Sequence, residues 1–172
     1  MPKETTYVET STNITYKSDA NYTDSGLVGK INDAHKTLVQ QPLWALRSFP
    51  EGERNCYNFN LTVNSTYLIR GTFLYGNYDG LNQSPSFDLH IGASKWTSVN
   101  IVGVTDTVMP EIIHVLTQKR LQVCLVKTGK TTPFISSLEL RPLINNIYIA
   151  ESGSMVLQNR VYFPSDSTSI VR

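Results

Sequence analysis

Inside short runs along most of this chain, apolar and polar residues alternate one by one, and no stretch sustains the 3.6-residue repeat of a helix. That period of two constrains the fold more than any other feature. In RNCYNFNLT (54–62), Tyr57, Phe59 and Leu61 share one face while Cys56, Asn58 and Asn60 share the other. A strand of this parity turns one face to a core and leaves the other polar. Further strand-like runs are TYLIRGTFLY (66–75), SFDLHIG (86–92), KWTSVNIV (95–102), EIIHVLT (111–117), RLQVCLVKT (120–128) and FISSLELRPL (134–143). Shorter candidates are TYVET (6–10), NITYK (13–17), NNIYIA (145–150) and RVYF (160–163). The segment VMPEIIHVLT (108–117) has some helical character, but Ile112, Ile113 and Val115 favour a strand. Gly, Pro, Asn and Asp sit between the runs, at the spacing of a meander or Greek key. The expected fold is all-β, a sandwich or jelly roll of antiparallel strands.

At 172 residues the chain suits one domain with a core large enough to fold without staples. The polar tail after Phe163 reads as a connector leaving that domain. We therefore place the domain at residues 1–165 and a linker at 166–172. A formal net charge of +1 argues against a nucleic-acid partner, which calls for a basic excess. No run reaches the length of a membrane span, and the first residues lack the apolar core of a signal peptide. Five Asn-x-Ser/Thr sequons, at Asn13, Asn21, Asn60, Asn64 and Asn82, favour a secreted or cell-surface protein. In that setting Cys56 and Cys124 either form a disulfide or remain two buried thiols, and their spacing does not decide between them.

No motif for catalysis, metal binding or a cofactor is present: HExxH, CxxC, GxSxG and a phosphate-binding glycine loop are all absent. His35, His90 and His114 share no ligand spacing. Asp79 and Asp88 are the one carboxylate pair to weigh for glycoside hydrolysis, yet a turn separates them. The plainer reading makes Asp79-Gly80 a turn and Asp88 a charge on a strand face. Aromatics remain as the chemical resource. Trp44 and Trp96 read as packing residues, whereas Tyr75 and Tyr78 flank Gly76-Asn77 at a strand end, where a turn should push at least one ring outward. Tyr75, Asn77, Tyr78 and Asp79 are thus the candidate ligand-binding residues.

Several blocks in order carry a family resemblance. They are Trp44-Ala45-Leu46-Arg47-Ser48-Phe49-Pro50 with Gly52 and Arg54-Asn55-Cys56-Tyr57; Tyr67-Leu68-Ile69-Arg70 running into Tyr75-Gly76-Asn77-Tyr78-Asp79-Gly80; Phe87-Asp88-Leu89 with Gly92 and Trp96; and Val123-Cys124-Leu125-Val126 followed by Thr132-Pro133-Phe134-Ile135-Ser136 and Leu138-Glu139-Leu140-Arg141-Pro142-Leu143. In this order they resemble the malectin-like extracellular domain of plant leucine-rich-repeat receptor kinases, over most of residues 5–165. The resemblance implies a malectin-type β-sandwich, the first of two tandem modules ahead of leucine-rich repeats, a membrane span and a cytoplasmic kinase. It implies a non-catalytic module outside the plasma membrane, tied to it only through that span, that meets a peptide or protein ligand, a co-receptor, or cell-wall glycan. It also implies an upstream Asp-Cys-Gly segment whose cysteine competes for pairing with Cys56 or Cys124. Animal malectin binds a glucose-containing glycan through aromatics and one acid. Its Tyr-Phe pair falls near Tyr75-Gly76, with Tyr78 as a substitute for the missing Phe. The loop corresponding to its acid reads Lys130-Thr131-Thr132-Pro133, without a carboxylate.

Overall fold

The structure, a computed structural model, describes residues 5–143, 148 and 153–158. Its strands are β1 (Thr6–Glu9), β2 (Ile14–Lys17), β3 (Leu27–Lys30), β4 (Ala45–Ser48), β5 (Arg54–Asn60), β6 (Thr66–Leu74) and β7 (Ser86–Ile91). There follow β8 (Ser94–Asn100), β9 (Thr107–Val108), β10 (Glu111–Val115), β11 (Arg120–Lys127), β12 (Phe134–Ile135), β13 (Ser137–Pro142) and β14 (Ser154–Leu157). The only helical pieces among the described residues are one turn, α1 (Asp33–Lys36), and a 3-10 turn at Gln41–Leu43. The strand candidate at 160–163, the linker at 166–172 and, apart from Tyr148, the candidate at 145–150 lie outside the described residues.

All described pairings are antiparallel, and they make two main sheets. One runs β13-β6-β10-β14, with β9 extending the β10 side of β6; the other runs β5-β11-β7-β8. Met109-Pro110 separates β9 from β10, because proline cannot donate to the ladder. The two sheets meet through Ile69 and Phe73 of β6 and Phe87 and Leu89 of β7, all fully buried. Phe73 contacts Phe87 edge-on with centroids 5.7 Å apart, and Phe134 joins both rings. A third sheet, β12-β4-β3, flanks this sandwich, and the β1-β2 hairpin stands apart as a pair.

The parity of β5 holds as expected: Tyr57 is buried and Phe59 packs on the core, while Asn60 is exposed. On the outward face Cys56 lies directly opposite Cys124 of β11, and their sulfurs are bonded at 2.11 Å. The run 134–143 is not one strand. Its first part pairs with β4 and its second with β6, and Ser136 marks the change, donating its N–H to Thr72 O at 3.0 Å. β6 departs furthest from a one-sided strand, with eight consecutive buried residues after Thr66. Arg70 is on its far face, between Glu111 of β10 and Glu139 of β13, which are its direct partners in the register. Its Nε donates to Glu111 Oε1 at 2.6 Å, and Nη1 lies 3.6 Å from Glu139 Oε2. Glu139 also accepts from Arg141 and, at 2.9 Å, from the hydroxyl of Tyr16 on β2. A charged ladder thus crosses three strands beneath the hairpin.

Candidate functional site

The turn after β6 forms around Gly76, whose φ of +52° places it in the left-handed region. Its N–H donates to Val104 O at 2.8 Å and its carbonyl accepts from Asn32 N at 3.0 Å, so the turn is stitched to two distant loops. A Cβ here would stand 2.4 Å from the Cγ2 of Ile31. Gly76→Ala is therefore expected to lower stability by about 2 kcal/mol, through left-handed strain plus overlap. Chemical denaturation would show this as a lower midpoint at constant m.

The four residues expected to meet a ligand are drawn together here, mostly facing one another. Of the two rings, at least one of which the turn should push outward, Tyr75 has no exposed surface, because Tyr78 and Phe134 pack over it with centroids 5.6 and 6.1 Å away. Its hydroxyl donates to Asp79 Oδ1 and accepts from Gln83 N at 3.2 Å. Asp79 also accepts from Leu81 N at 3.0 Å. Asn77, at φ +49°, accepts from Asn82 N at 2.9 Å. Tyr78 is half-buried against Phe134 and the glycine of β3. What the turn offers to solvent is Asp79, Gly80, Leu81 and Asn82, with parts of Asn77 and Tyr78. The Lys130–Pro133 loop is fixed by Thr131, which bonds both ways to the backbone of Ser86.

Burial raises the Tyr75 phenol, and its bond to Asp79 adds to this. Burial and then the charge of Asp79 push Tyr78 up to about 12. Tyr57 lies well above the ordinary phenol range through burial and the adjacent Asp19. A phenol raised in the folded state keeps its stabilising proton below the unfolded value of 10 and loses the advantage as pH climbs through the folded value. A late phase of phenolate absorbance from Tyr57, Tyr75 and Tyr78 is therefore expected above the ordinary phenol range, together with alkaline unfolding. A single phase near pH 10 with the protein folded would refute this placement.

The carboxylate pair weighed for glycoside hydrolysis is not assembled. Asp88 sits on the outward face of β7, bonded to Lys95 at 2.8 Å and to Ser98 at 2.7 Å, whereas Asp79 serves the turn. Two other carboxylates, Asp19 and Glu139, border a cavity of about 490 Å³ between the β1-β2 hairpin and the sheets. Asp19 is gripped by Arg47 through two bonds of 2.6 and 2.7 Å and by Tyr57 at 2.9 Å. Burial pushes its carboxyl up, but Arg47 and Tyr57 outweigh that and hold it below the usual range. Glu139 faces Arg70 and Arg141. Both acids are held by arginines, an arrangement that braces the structure. Sequence reasoning missed Asp19 and Arg47; the signal was an arginine inside the strand-like ALRS (45–48), a position that demands a partner.

Trp96 is buried, but Trp44 is an exposed residue whose indole donates to Lys36 O and Val39 O at 3.1 and 3.2 Å, so it closes the loop after α1. All five sequon asparagines are exposed, and Asn13, Asn64 and Asn82 occupy left-handed turns at φ +56°, +60° and +50°. No metal-holding group of His, Cys, Asp and Glu occurs among the described residues. Nor, among them, is any helix long and apolar enough to cross a membrane.

The comparison with known families agrees with this antiparallel β-sandwich. The Malectin-like domain matches residues 1–172, and the chain belongs to that family. Among curated proteins it is similar to the probable LRR receptor-like serine/threonine-protein kinase At1g51860 of Arabidopsis thaliana, 72% identical over the whole chain and 19% of that protein. The LRR receptor-like kinase IOS1 of the same plant is 50% identical over 90% of the chain and 17% of its own length. The chain thus spans about a fifth of the length of these relatives. The fold is shared with the ANX1 ectodomain of Arabidopsis thaliana, at TM-score 0.66 and 14% identity over 80% of this chain and 39% of that one. It is also shared with a solved complex of the peptide RALF23 with FER and LLG2, at TM-score 0.63 and 12% identity over 87% of this chain and 42% of that one.

Proposed function

We propose that this domain is a non-catalytic recognition module on the extracellular side of a plant leucine-rich-repeat receptor kinase, acting in ligand perception or receptor assembly through peptide or protein contacts. The family match along residues 1–172, with receptor kinases as relatives, carries this reading. On it, the full-length protein carries a membrane span and a cytoplasmic kinase, residues 1–165 are its first module, and 166–172 lead to a second. The exposed part of the 76–82 turn, with Asn77, Tyr78 and Asp79, is the proposed contact edge: a rigid sandwich holds it, and Tyr78 is a suitable anchor. The five sequons at exposed asparagines accord with this location.

The second reading is a cell-wall glycan module. Burial of Tyr75 and a Lys130–Pro133 loop without a carboxylate weigh against it, since a sugar platform needs open aromatic faces. Calorimetry on the folded ectodomain separates the two. Heat with a secreted peptide or a co-receptor ectodomain, weakened at least tenfold by Tyr78→Ala, supports the first; saturable heat with glucan or pectin fragments alone overturns it.

A further inference from the structure

The five sequons are not equivalent. Asn13, Asn21, Asn60 and Asn64 are each followed two places on by threonine, and none of those threonines precedes a proline. The fifth reads Asn82-Gln83-Ser84-Pro85. Glycan transfer needs the segment to bend until the hydroxyl comes near the asparagine amide. The residue before a proline is confined to extended or polyproline backbone. Ser84 is that residue, so this sequon resists the bend while the chain is still unfolded. Folding then closes the site. Asn82 N donates to Asn77 Oδ1 at 2.9 Å, Gln83 N to the Tyr75 hydroxyl at 3.2 Å, and the Ser84 hydroxyl to Val102 O at 3.3 Å.

The sequons also sort by place. Asn60 ends β5, and Asn64 lies in the loop to β6, where its N–H donates to Leu116 O at 2.8 Å. Asn21 precedes Tyr22, whose carbonyl accepts from Asn58 N of β5 at 2.8 Å. These three acceptors lie at or beside the end where β5 stops and β6 starts. The 76–82 turn follows the other end of β6, roughly 25 Å of strand away. There it is joined to the loop after β8 through Gly76 N–H to Val104 O at 2.8 Å and through the Ser84 bond. Two apolar side chains of these joined loops, Leu81 and Val102, are 61% and 82% exposed. Asn13 lies on the hairpin turn, outside both sets of loops.

We propose that Asn82 stays unglycosylated, so that the end bearing the 76–82 turn is a bare protein-contact surface, whereas glycans at Asn21 and at Asn60 or Asn64 close the opposite end. The occupant of the bare end is a peptide or protein that sets apolar side chains against Leu81 and Val102. The exposed Leu81 is continuous with Tyr78 and Asp79 of the contact edge proposed above. A glycan on Asn82 would stand beside Leu81 and cover that edge. The inference deepens the recognition role and rests on the extracellular location proposed with it.

Glycopeptide mapping of the full-length protein isolated from plant cells tests it. An amidase that releases N-glycans converts each occupied asparagine to aspartate, which mass spectrometry reads. Conversion is expected at Asn21 and at one or both of Asn60 and Asn64, and none at Asn82. Ser84→Thr is expected to leave Asn82 bare, because Pro85 is the obstacle. Hydroxyl-radical labelling reads the two ends. Val63, between Asn60 and Asn64 and 39% exposed, is expected to gain label at least about twofold once the glycans are removed. Leu81 and Val102 are expected to label strongly and equally before and after. An occupied Asn82, in the parent or in Ser84→Thr, overturns the proposal. So does a bare Asn60–Asn64 end, or a Leu81 and Val102 that stay unlabelled. No glycan at any of the five sites would overturn the extracellular location with it.

Discussion

Replacing Arg70 by methionine is expected to destabilise the domain by about 3–5 kcal/mol, the cost of leaving buried charge without its partner. Arg70 is 7% exposed, and Glu111 and Glu139 on either side are 8% and 6% exposed, so water cannot take over its role. Against a typical total of about 5–15 kcal/mol, that loss brings the domain close to its unfolding limit. The variant should accumulate poorly, with a denaturation midpoint far below that of the parent. Replacing Arg70, Glu111 and Glu139 together with apolar residues of similar size should recover most of the loss, since a buried ion cluster contributes little beyond neutralising itself. If Arg70→Met unfolds at the parental midpoint, the ladder is a surface feature and the described burial is wrong.

The Cys56–Cys124 bond closes a loop with a sequence separation of 68. On the chain-entropy account, a loop of that size restricts the unfolded chain by about 4 kcal/mol. Replacing both cysteines with alanine is expected to lower stability by that order without altering the ladder between β5 and β11, whose remaining six partner pairs are intact. Equilibrium denaturation of the double variant, beside the parent with and without reductant, measures it. Equal midpoints for the parent under oxidising and reducing conditions would show that the bond is not formed.

The legible parts of this fold are those where burial is one-sided. β5 shows its two faces in the residues themselves, because Tyr57 and Phe59 enter the core and Asn58 and Asn60 do not. β3 and β14 escaped notice for the opposite reason. Three of the four residues in each are exposed although several are apolar, so neither shows the alternation of a half-buried strand, and partners elsewhere in the chain hold them. Tyr75 shows the same limit at the candidate site. Local turn residues identified the bend correctly, but they could not say that Phe134, from another sheet, would roof the ring. Arg70 was the one local clue to the charge ladder: a cation within TYLIRGTFLY needs carboxylates, and these came from strands paired on both sides.

The bond joining β5 to β11 also sets how this domain responds to a pull on its ends. Tension applied at the two termini passes through Cys56 and Cys124 and bypasses the residues between them. Of the contour that full extension could release, about 240 Å stays locked while the bond is oxidised, at roughly 3.5 Å for each of the 68 residue steps. The folded sheet of β7 and β8 lies wholly inside that shielded loop. A stretched domain therefore gives up its flanks first and keeps its central strands out of the line of force.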